Sequence, residues 1–412
     1  MPDHDLIIVG GGPAGLSTLL HLHRHAPALA ERTVLLERES YPREKYCAGA
    51  VGGRGLRLLE RLGVPLSVPS VPIARISIQF PSHLAAVRQA GFGHVVRRIE
   101  FDHALARAAL ARGLRVRDGV GVRSVAEEGD GVRVTLGSGD TLTARAVVGA
   151  DGVGGVVRRA AGLGGGRLRA QVIELDTEPV PGDPARDTVH FDVSDGALAG
   201  YGWDFPTLVG GAAMVCRGIY VLPAIAPENL RARLRLYLAA RGLDIQRYRL
   251  KPFGERGFER GEPLSRRGMI LVGEAAGIDI ATGEGIAQAL LYGDLAAKYL
   301  THAFRVGRLD FPDWRTVVER SGLGASLWAR TLAYRAFYFQ RDWAVDLFRR
   351  NPGILGLYAA EFAGRLPSPR LLAGVLARTR LGDLRGGWRA VAHDPAQRRG
   401  VRSGAATEPD VG

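Results

Sequence analysis

At 412 residues, 46% hydrophobic and 24% charged, the chain is long enough for a large core in more than one structural unit, with the balance of a soluble globular protein. No run of about 20 uninterrupted apolar residues is present, an apolar strand already opens at Leu6, and Cys47 and Cys216 are the only cysteines; a spanning helix, a cleavable leader and a disulfide framework are therefore disfavoured, and a reducing cytoplasm is the expected compartment. The formal charge is +13, yet no binding motif or interleaving of aromatic and basic residues supports nucleic acid as a partner.

The first element is a strand running into a glycine turn, Leu6-Ile-Ile-Val-Gly10-Gly-Gly12-Pro13-Ala14-Gly15. Gly10 permits the tight turn, Gly12 lets backbone approach a pyrophosphate, and Gly15 lets the following helix pack closely on the strand. The free N–H groups at that helix start face the phosphates. Glu37 closes the next apolar strand, 22 residues after Gly15, where an acid accepts hydrogen bonds from a ribose. On that helix His21 and His25 share a face and His23 does not; without a third ligand nearby, they read as a solvated face, and no metal is expected.

Residues 1–60 thus read as strand, helix, strand, helix. A helix over Phe101–Arg112 and alternating strands such as Val132–Leu136 follow, ending in Ala146-Val-Val-Gly149-Ala150-Asp151-Gly152. Short alternating runs and turn glycines over 166–261 predict an antiparallel sheet. A third strand, Ile270-Leu-Val-Gly273-Glu274, leads through Thr282-Gly283-Glu284-Gly285-Ile286 into a helix expected from Gly283 to about Leu300. From 306 onward the pattern is helical, with Trp328, Tyr334, Phe337, Tyr338, Phe339, Trp343 and Phe348 crowded together. These rings read first as a cap on the core and second as an amphipathic surface touching membrane or a lipid tail. Residues 301–412 carry 18 Arg against 10 acidic residues. Arg-biased coding accounts for part of that excess, and attraction to anionic lipid heads or a phosphorylated substrate is the sharper reading. The tail 394–412 lacks periodicity and is expected to be disordered.

The second and third glycine segments resemble the Asp-Gly and Gly-Asp motifs of the flavoprotein superfamily that includes aromatic hydroxylases, halogenases and geranylgeranyl reductases. The resemblance implies FAD, with Asp151 beside the pyrophosphate and Glu274, where the family usually has Asp, on the ribityl chain. Gly154-Gly155 stand where the family has Ser or Thr. Tyr41-Pro-Arg-Glu-Lys45-Tyr-Cys47-Ala48-Gly49 and Tyr201-Gly-Trp203-Asp-Phe205-Pro206 resemble two stretches of the geranylgeranyl reductases, and Arg98-Ile-Glu-Phe101-Asp102 resembles an element of the wider superfamily. The likeness covers roughly residues 1–305.

From it follow a fold and a site. The expected fold is α/β: a Rossmann-type FAD domain from 1–60, 98–165 and 262–305, substrate-binding inserts at 61–97 and 166–261, and a helical region over 306–393. The expected cofactor contacts are Gly10, Gly12, Pro13, Ala14, Gly15, Glu37, Arg38, Ala48, Gly49, Arg98, Asp151, Gly152, Gly273, Glu274, Gly283, Glu284, Gly285 and Ile286. Glu284 has a second reading as a first-turn acid. In a strand Tyr201, Trp203 and Phe205 share one face and Asp204 takes the other, so the three rings are expected to wall an isoprenoid cavity, the plainer reading being sheet core. Cys47 is read either as a small buried hydrophobe or as a catalytic group near the flavin ring, whereas Cys216 reads as strand core. The implied activity is reduction of isoprenoid carbon–carbon double bonds by hydride transfer from reduced flavin, with NAD(P)H, a separate reductase or a ferredoxin as donor. The alternative is a flavin monooxygenase, a hydroxylase or epoxidase, acting on an apolar natural product.

Overall fold

The computed structural model describes residues 2–164, 166, 168–223, 229–380 and 383; the tail 394–412 lies outside them. Two eight-stranded sheets organise the chain. In the first, strands Met269–Leu271, Thr141–Gly149, His4–Val9, Thr33–Leu36 and Arg115–Arg117 run parallel in that spatial order. Leu6, Ile7 and Ile8 are fully buried, as a parallel strand covered on both faces requires. The meander Val122–Glu128 and Gly131–Leu136 pairs antiparallel onto Thr141–Gly149.

One face of this sheet is covered by helices Pro13–His25 and Ile286–Val306. Pro13 occupies the first turn, where its missing N–H costs nothing. The two helices cross closely: a Cβ on Gly293 would lie 2.4 Å from Ser17 Oγ, and that hydroxyl donates to Leu290 O at 2.7 Å. The crossing buries His21, which is only 2% exposed. The expected solvated face is thus corrected: His21 Nδ1 sits 2.8 Å from Ser17 O, and Nε2 lies 3.6 Å from Asp294. Burial holds its pKa below the ordinary value.

The second sheet runs Lys251–Arg256, Arg169–Thr177, Ala212–Val221, Gly200–Val209, Thr188–Asp192, Ser70–Gln79, Leu84–Val96, Ala50–Gly52. It is antiparallel except between Thr188–Asp192 and Ser70–Gln79. It draws strands from both sides of the Arg98–Leu110 helix, and its last strand comes from the segment just after Cys47. A buried charge cluster braces its outer face: Arg217, fully buried, donates to Asp183 and Asp204 at 2.7 Å. Asp204 also accepts from Tyr237 and Arg241, so it faces away from Tyr201, Trp203 and Phe205 as the strand alternation predicts.

The C-terminal helices Gly322–Phe339, Arg341–Arg350 and Gly353–Phe362 pack on this sheet. Tyr334, Phe337, Tyr338 and Phe348 join its hydrophobic cluster together with Tyr358 and Phe362, so this part of the aromatic run caps the core. Trp314 ties the region to the first sheet, its indole donating to Leu271 O at 3.0 Å.

Candidate active site

A polar cleft of about 490 Å³ opens along the carboxyl ends of the parallel strands, the place where open α/β sheets bind ligands. The glycine turn builds one wall. Gly10 has φ +107°, and a Cβ there would lie 2.4 Å from Ala150 O; a Cβ on Gly15 would lie 2.0 Å from Gly10 O. Gly12 is different, since its Cβ would meet nothing nearer than Arg98 at 3.6 Å. Gly10 and Gly15 are required by the protein's own packing, whereas Gly12 keeps backbone open to the cleft.

Charged groups hold this wall in place. Glu37 accepts from the Gly11 N–H at 2.8 Å and pairs with Arg43 at 3.2 Å. Arg43 also reaches Asp102 at 3.0 Å, and Asp102, fully buried, accepts two bonds from Arg98 at 2.7 Å. Removing one member of such a buried network strands its partners' charge, at a cost of about 3–5 kcal/mol. Arg98 therefore carries its positive charge to the cleft wall beside Gly12.

The opposite wall holds the other two glycine segments. Asp151 Oδ2 accepts from the Val157 N–H at 3.0 Å, while its Oδ1 is buried without a partner. Glu274 Oε1 is likewise buried and unpartnered. Buried acceptors normally have donors. Two free carboxylate oxygens, a positive Arg98 and an open glycine backbone suit the hydroxyls and phosphates of a dinucleotide, and FAD fits this donor set.

Of the expected cofactor contacts, Gly10, Gly12, Pro13, Ala14, Glu37, Arg38, Arg98, Asp151, Gly152, Glu274, Gly283, Gly285 and Ile286 line the cleft. Gly15 lies beneath it, against the Gly10 carbonyl. Gly273 packs on Ala14, whose Cβ would be 2.5 Å from a Gly273 Cβ. Ala48, Gly49 and Glu284 line a second pocket instead. The helix expected from Gly283 starts at Ile286, because Gly283 is left-handed, with φ +69°. Glu284 thus lies outside the helix, and its carboxylate pairs with Arg330 at 2.7 Å. Burial pushes the Glu284 carboxyl up to about 7 despite that partner.

The second pocket is small, about 60 Å³, and apolar. Tyr201, Trp203 and Phe205 form one wall together with Phe191 and Tyr220. Tyr201 stacks on Tyr220 with centroids 4.8 Å apart, and the Tyr201 hydroxyl donates to Thr282 O at 2.7 Å. Cys47, Phe253, Glu255, Gly283, Gly285 and Ile286 line both cavities, so the pocket meets the cleft there. Burial raises the Cys47 thiol to about 11, which keeps it protonated. Its N–H donates to Glu174 at 2.9 Å, and the Cys216 thiol lies 3.7 Å from the same carboxyl. Burial lifts Glu174 to about 7.

Three features of this site were not expected from the sequence. Tyr358 and Phe362, on the helix Gly353–Phe362, line the pocket. Arg330 binds Asp279 and Glu284 at 2.7 Å and also contacts Glu361, which anchors the loop 279–285 to the C-terminal helices. Glu255 stands where the two cavities join. No local pattern marks any of them, since each reaches the site through pairing of distant elements. Among the described residues no cluster of metal-ligating side chains is found.

Residues 3–189 match the family described as an FAD binding domain, and with the cleft above this makes the chain an FAD-dependent oxidoreductase. Within that class its homologues include proteins named as geranylgeranyl-type reductases. The digeranylgeranylglycerophospholipid reductase of Thermoplasma acidophilum is 27% identical over 334 residues, covering 74% of this chain and 79% of that one. A geranylgeranyl bacteriochlorophyll reductase-like structure from the same organism shares the fold at a TM-score of 0.71 and 21% identity, over 94% of this chain and 99% of that one. The rifampicin monooxygenase of Streptomyces venezuelae is 32% identical over 169 residues, covering 39% of this chain and 34% of that one. The recognised family and fold thus agree with the resemblance drawn from the motifs.

Proposed function

We propose that the protein reduces carbon–carbon double bonds of an isoprenoid chain in a polyprenyl or lipid substrate. The observation that carries this reading is the junction of the two cavities: an aromatic-walled apolar pocket opens onto a dinucleotide cleft at Cys47, Phe253, Gly283 and Ile286. A bound FAD, once reduced, supplies two electrons and a hydrogen to an alkene. The protein's part is to bind, orient and exclude water. Gly12 and the first turn of the helix Pro13–His25 would hold the pyrophosphate, with Arg98 beside it. Asp151 and Glu274 would accept from the sugar and ribityl hydroxyls, and the start of the helix Ile286–Val306 would face the reactive ring. Tyr201, Trp203 and Phe205 would hold the chain against it, and the narrow pocket keeps water away. Cys47, half-buried and with its thiol raised to about 11 by desolvation, would pack against the chain.

NAD(P)H, a separate reductase or a ferredoxin would deliver the electrons. Among the described residues no helix is long and apolar enough to cross a membrane. Leu366, Leu372 and Leu376 are nonetheless exposed on and beside the helix Pro369–Arg378, next to Arg370 and Arg378, which favours peripheral contact with an anionic lipid surface. Cosedimentation with phosphatidylglycerol but not phosphatidylcholine vesicles supports that contact; none with either removes it.

The partial match to a monooxygenase favours one rival, in which the same cofactor site serves oxygen chemistry on an apolar natural product. Titration of the reduced, FAD-loaded protein with polyprenyl alcohols tests the substrate class. Micromolar binding supports the reading, and tight FAD retention with no affinity for polyprenyl compounds contradicts it. Oxygen consumption coupled to substrate would move the protein to the rival.

A further inference from the structure

Saturating an alkene takes a hydrogen with its electron pair at one carbon and a proton at the other, so a reductase of this kind needs an acid beside the chain. Six side chains that could give a proton line the apolar pocket: Cys47, Tyr201, Tyr220, Glu255, Glu284 and Tyr358. Four have their polar atoms engaged elsewhere. Tyr201 donates to Thr282 O and Tyr220 to Ile280 O, Glu284 is paired with Arg330, and the Tyr358 hydroxyl lies 3.0 Å from Thr282 Oγ1. The Cys47 thiol is a weak acid at neutral pH, because burial raises it to about 11.

Glu255 is different. It sits on the strand Lys251–Arg256, opposite Ala170, and what surface it keeps faces the two cavities. Its Oε2 is buried without a hydrogen-bond partner and lies 3.0 Å from where a Gly283 Cβ would stand. We infer that Glu255 is the general acid of the reaction, donating its proton to the alkene carbon opposite the one that takes hydrogen from the reduced cofactor. This rests on the alkene-reductase reading.

The electrostatics agree. Burial holds the Glu255 carboxyl far above the usual range, the Glu274 carboxylate adds to this, Lys45 pulls the other way, and Asp279 and Glu174 push up again. Tyr201, Tyr220 and Cys47 also face it, all held neutral by burial. A carboxyl held towards its protonated form is what a proton donor needs. In the balanced step the π bond breaks, one new C–H bond uses the electron pair from reduced FAD, and the other uses the π pair and the Glu255 proton. Glu255 is left as carboxylate and regains its proton from water in the open cleft.

The test compares wild type, Glu255→Gln and Glu255→Asp, each loaded with FAD and reduced chemically without oxygen. Geranylgeraniol and geranylgeranyl phosphate are the probes, and single-turnover reoxidation is followed from pH 5 to about 9. Wild type should be fast at neutral pH and slow on an alkaline limb, as the acid ionises. Glu255→Gln should lose about 100-fold and lose that limb, with FAD and probe affinities within about twofold of wild type; Glu255→Asp should keep the limb at a reduced rate. An infrared band of a protonated carboxyl at pH 7, lost in Glu255→Gln, is expected independently of turnover. A Glu255→Gln rate equal to wild type, a surviving alkaline limb or a missing infrared band overturns the role of Glu255 alone. A wild type that leaves every probe unreduced overturns the alkene-reductase reading and this assignment with it.

Discussion

The cleft and the pocket share a border but are built on opposite principles. The cleft is wide, charged and framed by glycine backbone; the pocket is narrow and framed by aromatic side chains. A dinucleotide is recognised by N–H groups, an arginine and free carboxylate oxygens, so its site depends on where backbone is left uncovered. The isoprenoid proposed for the pocket would offer nothing to hydrogen-bond, so such a site would depend on shape and on rings from distant strands and helices. The cleft is thus encoded locally, and the pocket tertiarily.

The comparison can be broken most severely at the C-terminal helices, which close the pocket. Arg330→Ala leaves Asp279 and Glu284 buried without their cation, and should cost about 3–5 kcal/mol. The expected result is a marked fall in Tm together with weakened FAD retention, because the loop 279–285 borders both cavities; an unchanged Tm would show that the anchor is dispensable.

A buried acid behind Cys47 comes next. Glu174 binds a proton more tightly in the folded chain, at about 7 against an ordinary 4.5. Between those values the folded state holds more protons than the unfolded one, so stability falls as pH rises through the window, by about 3 kcal/mol in all. It is fully present below about 4.5 and fully lost above about 7. Urea unfolding of wild type and Glu174→Gln from pH 4 to about 8 should show a flatter slope in the variant; parallel slopes would exclude Glu174 as the source.

Gly12→Val tests the cleft alone. Gly12 has ordinary extended dihedrals, φ −80° and ψ −177°, and its added Cβ would come no nearer than an ordinary contact with Arg98 at 3.6 Å, so the fold should survive. FAD affinity should fall about 100-fold, since the side chain fills the place of close backbone approach. FAD per chain after gel filtration, read beside the far-UV melting curve, checks this. Intact FAD binding would mean the pyrophosphate lies elsewhere.

The smallest effect is expected on the pocket side. Trp203→Ala and Tyr201→Ala should lower turnover of polyprenyl substrate about tenfold, as apolar area of the wall is lost, while FAD stays bound. Loss of FAD in either variant would make those rings structural supports of the loop at Thr282.

How far the sequence disclosed this follows the same division. The placement of Gly10, Gly12, Gly15, Asp151 and Glu274 at the cleft was legible because each lies within a few residues of its own strand end. Tyr201, Trp203 and Phe205 were legible as one face of a strand, with Asp204 on the other. The start of the helix at Ile286 was misplaced by three residues, since the left-handed turn at Gly283 is not fixed by a Gly-x-Gly pattern. The burial of His21 depends on a helix 270 residues away. Glu255 sits in Lys251-Pro-Phe-Gly-Glu-Arg, which reads as an ordinary edge strand until its pairing with Arg169–Thr177 brings the carboxyl to the junction of the two cavities.

Mass spectrometry of a polyprenyl panel incubated with the chemically reduced, FAD-loaded protein, with and without oxygen, separates reduction from oxygenation. An alkene reductase yields products two hydrogens heavier per reacted bond, formed without oxygen. Products carrying oxygen, formed only in the aerobic sample, would contradict that reading and assign the same cleft and pocket to a monooxygenase.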